Sequence, residues 1–220
     1  MFDHRKERLI QAFHRSLWQG EKYERINEAR NQAEDILGEK ISYGSPLTKL
    51  VDEAMEAAVV RVASSLIAQP ETTHQAYNRL VDLLNRQPTL GVRSSTSVLQ
   101  QAYSTPIPIA YLASVLAGIT AETTVYEPTA GNGALLVAAN PANVIANELN
   151  GDRFSELRTR GYRQLTQYDA SRYRPDSAVD VVITNPPFGV VLRMAKSNAL
   201  SFLAIAEEPG KLTRRSPCVP

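Results

Sequence analysis

The sequence has very little of what cross-linked or metal-binding proteins need. Cys218 is the one cysteine among 220 residues, so neither an intrachain disulfide framework nor a cysteine metal cluster can form. We expect His4, His14 and His74 to lie at the surface of N-terminal helices, and we predict no metal site. A single thiol fits a reducing, cytoplasmic setting.

Long apolar runs and a one-sided charge are missing as well. No stretch approaches the ~18 consecutive apolar residues that a membrane-spanning helix needs, so we expect no membrane partner. The first residues, MFDHRKERLIQAFHRSLW, are charged from the third position and do not resemble a secretory signal. A net charge of +1 lacks the basic excess that is typical of a self-sufficient nucleic-acid-binding protein.

What the chain does have is helical periodicity over its first 90 residues. Gly38 is placed to end one helix, and Ser45-Pro46 predicts an N-cap followed by proline in the first turn of a long helix that stops before Pro70. A shorter helix is predicted to end before Pro88. The inward-facing residues are predicted to be Leu9, Phe13, Leu17, Ile26, Ala33, Leu37, Leu47, Leu50, Val51, Ala54, Val59, Val62, Ala63, Leu66, Tyr77, Leu80, Val81 and Leu84.

The pattern changes after the small, polar stretch GVRSSTS, which predicts a linker over residues 91–99 between a helical region (1–90) and a second domain (100–220). Branched residues mark four strands, TVYEPT (124–129), NVIANEL (143–149), RQLTQYD (163–169) and DVVITN (180–185). Helices are predicted over 107–117, 133–139 and 152–160. Strands that alternate with helices indicate an α/β fold with a parallel sheet.

A glycine-containing turn, EPTAGNG (127–133), follows the first predicted strand. Gly131 and Gly133 allow backbone conformations that other residues avoid and let a ligand approach the main chain. In an open parallel sheet this turn lies at the carboxyl edge, where ligands bind. Leu136 stands where a dinucleotide site would have its third glycine, and Glu127 suits a positively charged ligand better than a phosphate.

The next two predicted strands also end in carboxylates. Glu148 can accept hydrogen bonds from both hydroxyls of a ribose, and Asp169 is placed to meet an adenine amino group. Either residue alone is more typical of a helix cap or a solvated turn. Three such features at successive strand ends together indicate one adenosine ligand with a sulfonium or ammonium tail.

The fourth predicted strand runs into NPPFG (185–189). Two consecutive prolines fix two φ angles and remove two backbone donors, which directs the Pro186 carbonyl outward beside the Asn185 side chain. Those two oxygens can accept both hydrogens of a planar amino group, and Phe188 can stack on the ring that bears it. A base in a duplex would first have to be flipped out. A rigid surface turn with a buried phenylalanine is the alternative interpretation.

In this order, the motifs resemble the class I methyltransferases that act on exocyclic amino groups, above all the DNA adenine-N6 methyltransferases. The resemblance runs from about Gln100, in the segment QQAYSTP (100–106), to Gly189. It implies that residues 127–133 form the cofactor loop and that a Thr-Pro pair contacts the methionine part of S-adenosyl-L-methionine. The implied catalytic residues are Asn185, Pro186, Pro187 and Phe188, and the implied cofactor-binding residues are Thr105, Pro106, Glu127, Thr129, Ala130, Gly131, Gly133, Glu148, Asp169 and Asn185.

The resemblance also implies a Rossmann-like, doubly wound, mainly parallel sheet and a DNA partner. Such a domain normally continues for three more strands and a target-recognition region, whereas the breaker-rich run EEPGKLTRRSPCVP ends this sequence. We therefore expect an incomplete sheet of four or five strands. We hypothesise that the gene product is truncated or frame-shifted after Gly189, which would leave the chain active or catalytically impaired.

Two alternatives stay open at the level of sequence. Glutamine-N5 methyltransferases of release factors and ribosomal-RNA guanine-N2 methyltransferases share a similar Asn-Pro-Pro-aromatic motif, although the Thr105-Pro106 segment favours DNA adenine. A non-catalytic cofactor-binding or DNA-docking module is the second alternative. Its helical region would contact a partner or DNA.

Overall fold

The structure is a computed structural model that describes residues 4–68, 72–88 and 104–186. These residues all fall within one unit of the chain, Met1–Val190. The helices are α1 His4–Trp18, α2 Ile26–Leu37, α3 Pro46–Ile67, α4 Thr73–Arg86, α5 Ile107–Leu116 and α6 Gly151–Leu157. The strands are β1 Val125–Glu127, β2 Val144–Asn147, β3 Gln164–Thr166 and β4 Val181–Val182. A helical N-terminal region is therefore followed by a region in which strands and helices alternate, as predicted.

Helices α1 to α4 bury a common apolar core. Leu9, Phe13 and Leu17 lie one helical turn apart on α1 and are fully buried, because this face packs against α3. The predicted inward residues are mostly buried on α1 and α3, whereas on α2 and α4 only Ala33 and Leu80 are buried and the others are partly buried. One detail of α4 differs, since Leu83 is fully buried and Leu84 is only partly buried. Leu83 follows Leu80 at i+3, so both spacings fit a helical face and the periodicity alone favoured the wrong residue.

The predicted helix ends are confirmed. Gly38 adopts the left-handed conformation after α2, with φ 73°, and its N–H donates to the Glu34 carbonyl. Ser45 and Pro46 begin α3 as N-cap and first helical residue. Helix α4 starts with a reciprocal capping box between Thr72 and Gln75, which the sequence analysis did not identify.

The four strands form one parallel sheet in the order β3-β2-β1-β4. This arrangement confirms the parallel α/β prediction, and each strand lies inside its predicted run but is shorter. The chain steps from β1 to β2 to β3 on one side, and β4 then pairs with the other side of β1. In an open parallel sheet, this reversal creates a crevice at the carboxyl ends of β1 and β4.

The predicted helix over 133–139 was wrong. The structure has a single 3-10 turn, Ala134–Leu136, in its place. Gly131 and Gly133 both have positive φ angles, 58° and 82°, which are incompatible with a right-handed helix. A second 3-10 turn then begins at Pro141. The prediction over 152–160 was nearer, since α6 is followed by a 3-10 turn, Arg158–Arg160.

The sheet has its own apolar core, which meets the helical core around Ala134. Ile107, Tyr111 and Val137 come from the region after residue 104 but pack within the core of the N-terminal helices. Within residues 4–68, 72–88 and 104–186, no helix combines the length and the apolar character that crossing a membrane requires.

Candidate functional site

The carboxyl ends of β1 and β4 lie side by side at the reversal of strand order. The Ile183 N–H donates to the Tyr126 carbonyl over 3.1 Å, which extends the pairing of the two strands. One residue further along, the hydroxyls of Thr129 and Thr184 are 2.9 Å apart. The predicted cofactor loop and the predicted catalytic motif are therefore neighbours in space.

Glu127 is the most deeply buried acid of this edge. It is 1% exposed, and the backbone N–H of Asn185 donates a hydrogen bond to its carboxylate. Its Oε2 is buried and has no hydrogen-bond partner in the described part of the chain. Burial, followed by the nearby Glu148 carboxylate, raises the pKa of Glu127 well above its usual value. A buried acid in this state is unusual in proteins and indicates a position that a cationic or donor group of a ligand would complete.

Glu148, after β2, holds the glycine turn in place. Its Oε2 accepts the N–H of Gly131 and its Oε1 accepts the N–H of Asn150, each over 2.7 Å. Burial raises the pKa of Glu148, and the two backbone donors and Arg153 oppose that shift. The sequence predicted this acid at the strand end but not its bond to the turn.

Asn147 joins the ends of three strands, a role that the sequence analysis did not identify. Its amide nitrogen donates to the carbonyls of Pro128 and Tyr168 over 3.0 and 2.8 Å. Its amide oxygen accepts from the Tyr168 N–H and the Thr166 hydroxyl. An asparagine inside an otherwise apolar strand run, VIAN, was the available signal, because buried amides need several partners.

The two glycines of the turn are required for different reasons. Both have positive φ, but a Cβ at Gly133 would lie 2.8 Å from the Tyr162 hydroxyl and 3.2 Å from Leu157 Cδ2. Packing therefore demands glycine at 133. A Cβ at Gly131 would come no closer than 3.8 Å to the Arg153 guanidinium, so the backbone conformation is the main requirement there.

Asp169 is exposed at the end of β3. Its Oδ1 accepts hydrogen bonds from the N–H and the hydroxyl of Ser171, which lower its pKa. This is the turn-capping geometry of a short acidic side chain. Two exposed apolar side chains follow β2 and β3 at this edge, Leu149 at 62% and Tyr168 at 58% exposure.

Asn185 is oriented by the segment ahead of α5. Its Nδ2 donates to the Thr105 hydroxyl over 3.1 Å, and Pro106 is the N-cap of α5. Pro186 is exposed. The predicted residues Pro187 and Phe188 lie outside the described residues.

Helix α3 contributes a residue that the sequence analysis missed. The Glu56 carboxylate accepts hydrogen bonds from Asn132 Nδ2, in the glycine turn, over 2.8 Å and from the Ser104 hydroxyl over 2.5 Å. Arg153 Nη2 lies 3.6 Å from the same carboxylate. No local motif marks Glu56, because its partners are distant in sequence.

Hydrogen bonds thus connect Glu127, Glu148, Asn185, Thr105 and the glycine turn into one edge of the sheet, with Thr129 and Ala130 inside that turn. Asp169 lies at the next strand end and is joined to the others through Asn147 and the neighbouring Tyr168. The unpaired oxygen of Glu127 suits a cationic or hydrogen-bond-donating group, and the carboxylate of Glu148 suits a hydroxyl group. Comparisons of the chain with protein-family models, curated proteins and solved structures gave no match.

Proposed function

We propose that this chain is an S-adenosylmethionine-dependent amino-group methyltransferase that acts on adenine N6 in DNA and has a Rossmann-like sheet. The observation that carries this proposal is Glu127, a buried carboxylate with an unpaired oxygen at the point where the strand order reverses. A buried acid in that position favours a ligand with positive charge. The motif around Asn185, one hydrogen bond away, supplies the groups that an amino substrate requires.

The residues present fit this cofactor. S-adenosylmethionine supplies a methyl group on a positively charged sulfur, and it also carries an ammonium group and a ribose. Glu127 would hold the cationic part from the crevice. Each carboxylate oxygen of Glu148 accepts one hydrogen bond from a backbone N–H group. Each oxygen has a second lone pair that could accept a hydrogen bond from a ribose hydroxyl. Leu149 and Tyr168 offer exposed apolar surface to an adenine ring.

Asn185 is prepared to accept a hydrogen bond from an amine. Its Nδ2 is engaged with Thr105, so Oδ1 is the acceptor of this side chain that can face a substrate. Oδ1 and the Pro186 carbonyl would accept the two N–H groups of the amine and direct its lone pair toward the methyl carbon. A bound cofactor would supply the methyl group, the C–S bond being exchanged for the new N–C bond with its electron pair left on sulfur, and the amine would lose a proton to solvent. Positioning supplies most of the rate.

DNA adenine is favoured over the other amino substrates by the Thr105-Pro106 segment. The bond from Asn185 to Thr105 ties this segment directly to the proposed catalytic group. The Thr105-Pro106 segment does not favour protein glutamine or ribosomal guanine as the substrate. These two substrates are alternative outcomes of the test below.

Transfer of a tritium-labelled methyl group from S-adenosylmethionine would test the activity. We expect incorporation into duplex DNA, and digestion of the product should give N6-methyladenine. Label in a Gly-Gly-Gln peptide or in ribosomal RNA instead would contradict the DNA assignment. Cofactor binding without transfer to any of the three would favour a non-catalytic module.

Asn185→Ala separates the proposed roles. This variant should retain cofactor binding within about threefold and lose transfer by about 10²-fold or more, because one positioned hydrogen-bond acceptor is removed. The exposed Glu39→Gln variant is the control and should keep both properties. An equal loss of cofactor affinity and of transfer in Asn185→Ala would contradict this assignment.

A further inference from the structure

Glu56 is a shared acceptor for two loops that are far apart in sequence. Its Oε2 receives the Asn132 side chain from the glycine turn and the Ser104 hydroxyl from the segment before α5. Each donor is adjacent in sequence to residues of the proposed site. Asn132 lies between Gly131 and Gly133, and Ser104 precedes Thr105. A single carboxylate on α3 therefore sets the distance between the two loops.

Arg153 places a positive charge beside this carboxylate. Its guanidinium binds Glu53 through Nε and Nη2 at 3.0 to 3.3 Å and lies 3.6 Å from Glu56. Burial and the neighbouring Glu53 carboxylate raise the pKa of Glu56. In the part of the chain that the structure describes, no group of three or more histidine, cysteine, aspartate or glutamate side chains is placed to hold a metal ion. Through its hydrogen bonds to Ser104 and Asn132, the Glu56 carboxylate forms a support for the two loops.

The support reaches Asn185 in two steps. Ser104 is bound to Glu56, and the next residue, Thr105, accepts the hydrogen bond from Asn185 Nδ2 over 3.1 Å. Moving Ser104 would displace the Thr105 hydroxyl, because the two residues are adjacent on the chain. Loss of the Glu56 carboxylate would therefore disturb both the glycine turn and the orientation of Asn185.

We infer that Glu56 of helix α3 is a positioning residue for the cofactor loop and for Asn185, and that the helical region is part of the site. This inference rests on the proposed function for its ligand. A purely architectural role, in which Glu56 only holds α3 against the sheet, is the alternative. Glu7 on α1 offers a matched control. Its carboxylate accepts two hydrogen bonds from Arg61 of α3, and it contacts neither loop.

Calorimetry with S-adenosylmethionine on the full chain distinguishes the two roles. We expect Glu56→Ala to weaken binding about tenfold, since two hydrogen bonds to the loops are lost. Glu56→Gln keeps an acceptor oxygen and should stay within about threefold of the wild type. Glu7→Ala should lower the Tm by a similar amount to Glu56→Ala but leave affinity within about threefold. Equal affinity losses in Glu7→Ala and Glu56→Ala would overturn the inference.

Two further variants remove the same contacts from the loop side. Ser104→Ala and Asn132→Ala should each weaken binding, and their combination should approach the loss in Glu56→Ala. These variants leave Glu56 paired with Arg153. They therefore test the inference even if Glu56→Ala does not fold. Wild-type affinity in the double variant would overturn the inference.

Amide hydrogen exchange tests the positioning without any ligand. Exchange over residues 130–133 should be about tenfold faster in Glu56→Ala than in the wild type, and unchanged in Glu7→Ala. If the wild type does not bind S-adenosylmethionine, the proposed function fails, and this comparison still decides the role of Glu56. Unchanged exchange in Glu56→Ala would overturn it.

Discussion

The helical core and the carboxyl edge of the sheet bury opposite kinds of side chain. The largest fully buried residues among α1, α3 and α4 are apolar, as with Phe13, Met55 and Leu80. At the strand ends, the buried side chains include Glu127, Asn147 and Glu148. The first region removes apolar surface from water, which stabilises the fold, whereas the second buries polar groups at a cost in free energy.

This difference marks the carboxyl edge of the sheet as the candidate ligand site. Asn147 and Glu148 offset their burial with hydrogen bonds, but Glu127 Oε2 does not. A polar group that weakens the fold without a local partner is expected at a functional site. Removing an apolar core side chain should therefore destabilise the fold, whereas neutralising a buried acid that has an unpaired oxygen should stabilise it. The following predictions run from the largest expected effect to the smallest.

Phe13→Ala should give the largest loss of stability. Phe13 is fully buried and makes an edge-to-face contact with Tyr23, with ring centroids 6.1 Å apart. Removing it should lower the free energy of unfolding by about 3–5 kcal/mol, measured by chemical denaturation. Leu116→Ala is the control at an 80% exposed position and should change little. A loss below about 1 kcal/mol in Phe13→Ala would show that the helical core is not the main source of stability.

The sequence was sufficient to predict this helical core, the positions of the four strands along the chain and their parallel arrangement. Local rules relate the sequence to these features, so they could be predicted. Examples are the apolar spacing on α1, Gly38 after α2 and branched runs such as VIAN. The lengths of the strands depend on pairing between segments that are distant in sequence, and the need for glycine at 133 depends on contacts with Tyr162 and Leu157. Those contacts bring together residues that no local pattern relates.

The candidate site was predictable only in part for the same reason. The acids at strand ends and the Asn185 motif follow from their positions after predicted strands. Glu56 and Ser104 join the site through contacts across 48 residues of sequence, which only the folded chain defines.

Glu127→Gln should stabilise the free protein. The folded-state pKa of Glu127 is raised above its unfolded value, so its contribution to stability is fully present below the unfolded pKa and is lost as pH rises toward the folded pKa. The gain in the variant should therefore grow with pH, reaching about 1–3 kcal/mol at pH 8. Thermal unfolding at pH 5 and pH 8 measures it. A variant less stable than the wild type at pH 8 would contradict the unpaired state of this acid.

Asp52→Asn tests the one comparable acid in the helical region and should have the smallest effect. Burial raises the pKa of Asp52 to about 6, opposed by Arg30, and its Oδ1 has no hydrogen-bond partner among the described residues. Because the folded-state pKa is raised, the contribution of Asp52 to stability is present below about pH 4 and is lost as pH rises to about 6. Because Asp52 is only partly buried, we expect a gain of about 1 kcal/mol at pH 8 and none below pH 4. The affinity for the cofactor should not change. A loss of affinity in Asp52→Asn would contradict the distinction between a helical region that stabilises the fold and a sheet edge that binds the ligand.

The most direct test of the central claim is calorimetry of S-adenosylmethionine binding at pH 7 in two buffers with different ionisation enthalpies. The account predicts binding with proton release, since a cationic ligand would ionise the buried Glu127, and it predicts no proton release for Glu127→Gln. The absence of binding by the wild type would contradict the account. Equal heats in both buffers would also contradict it, because Glu127 would then be ionised before the ligand arrives.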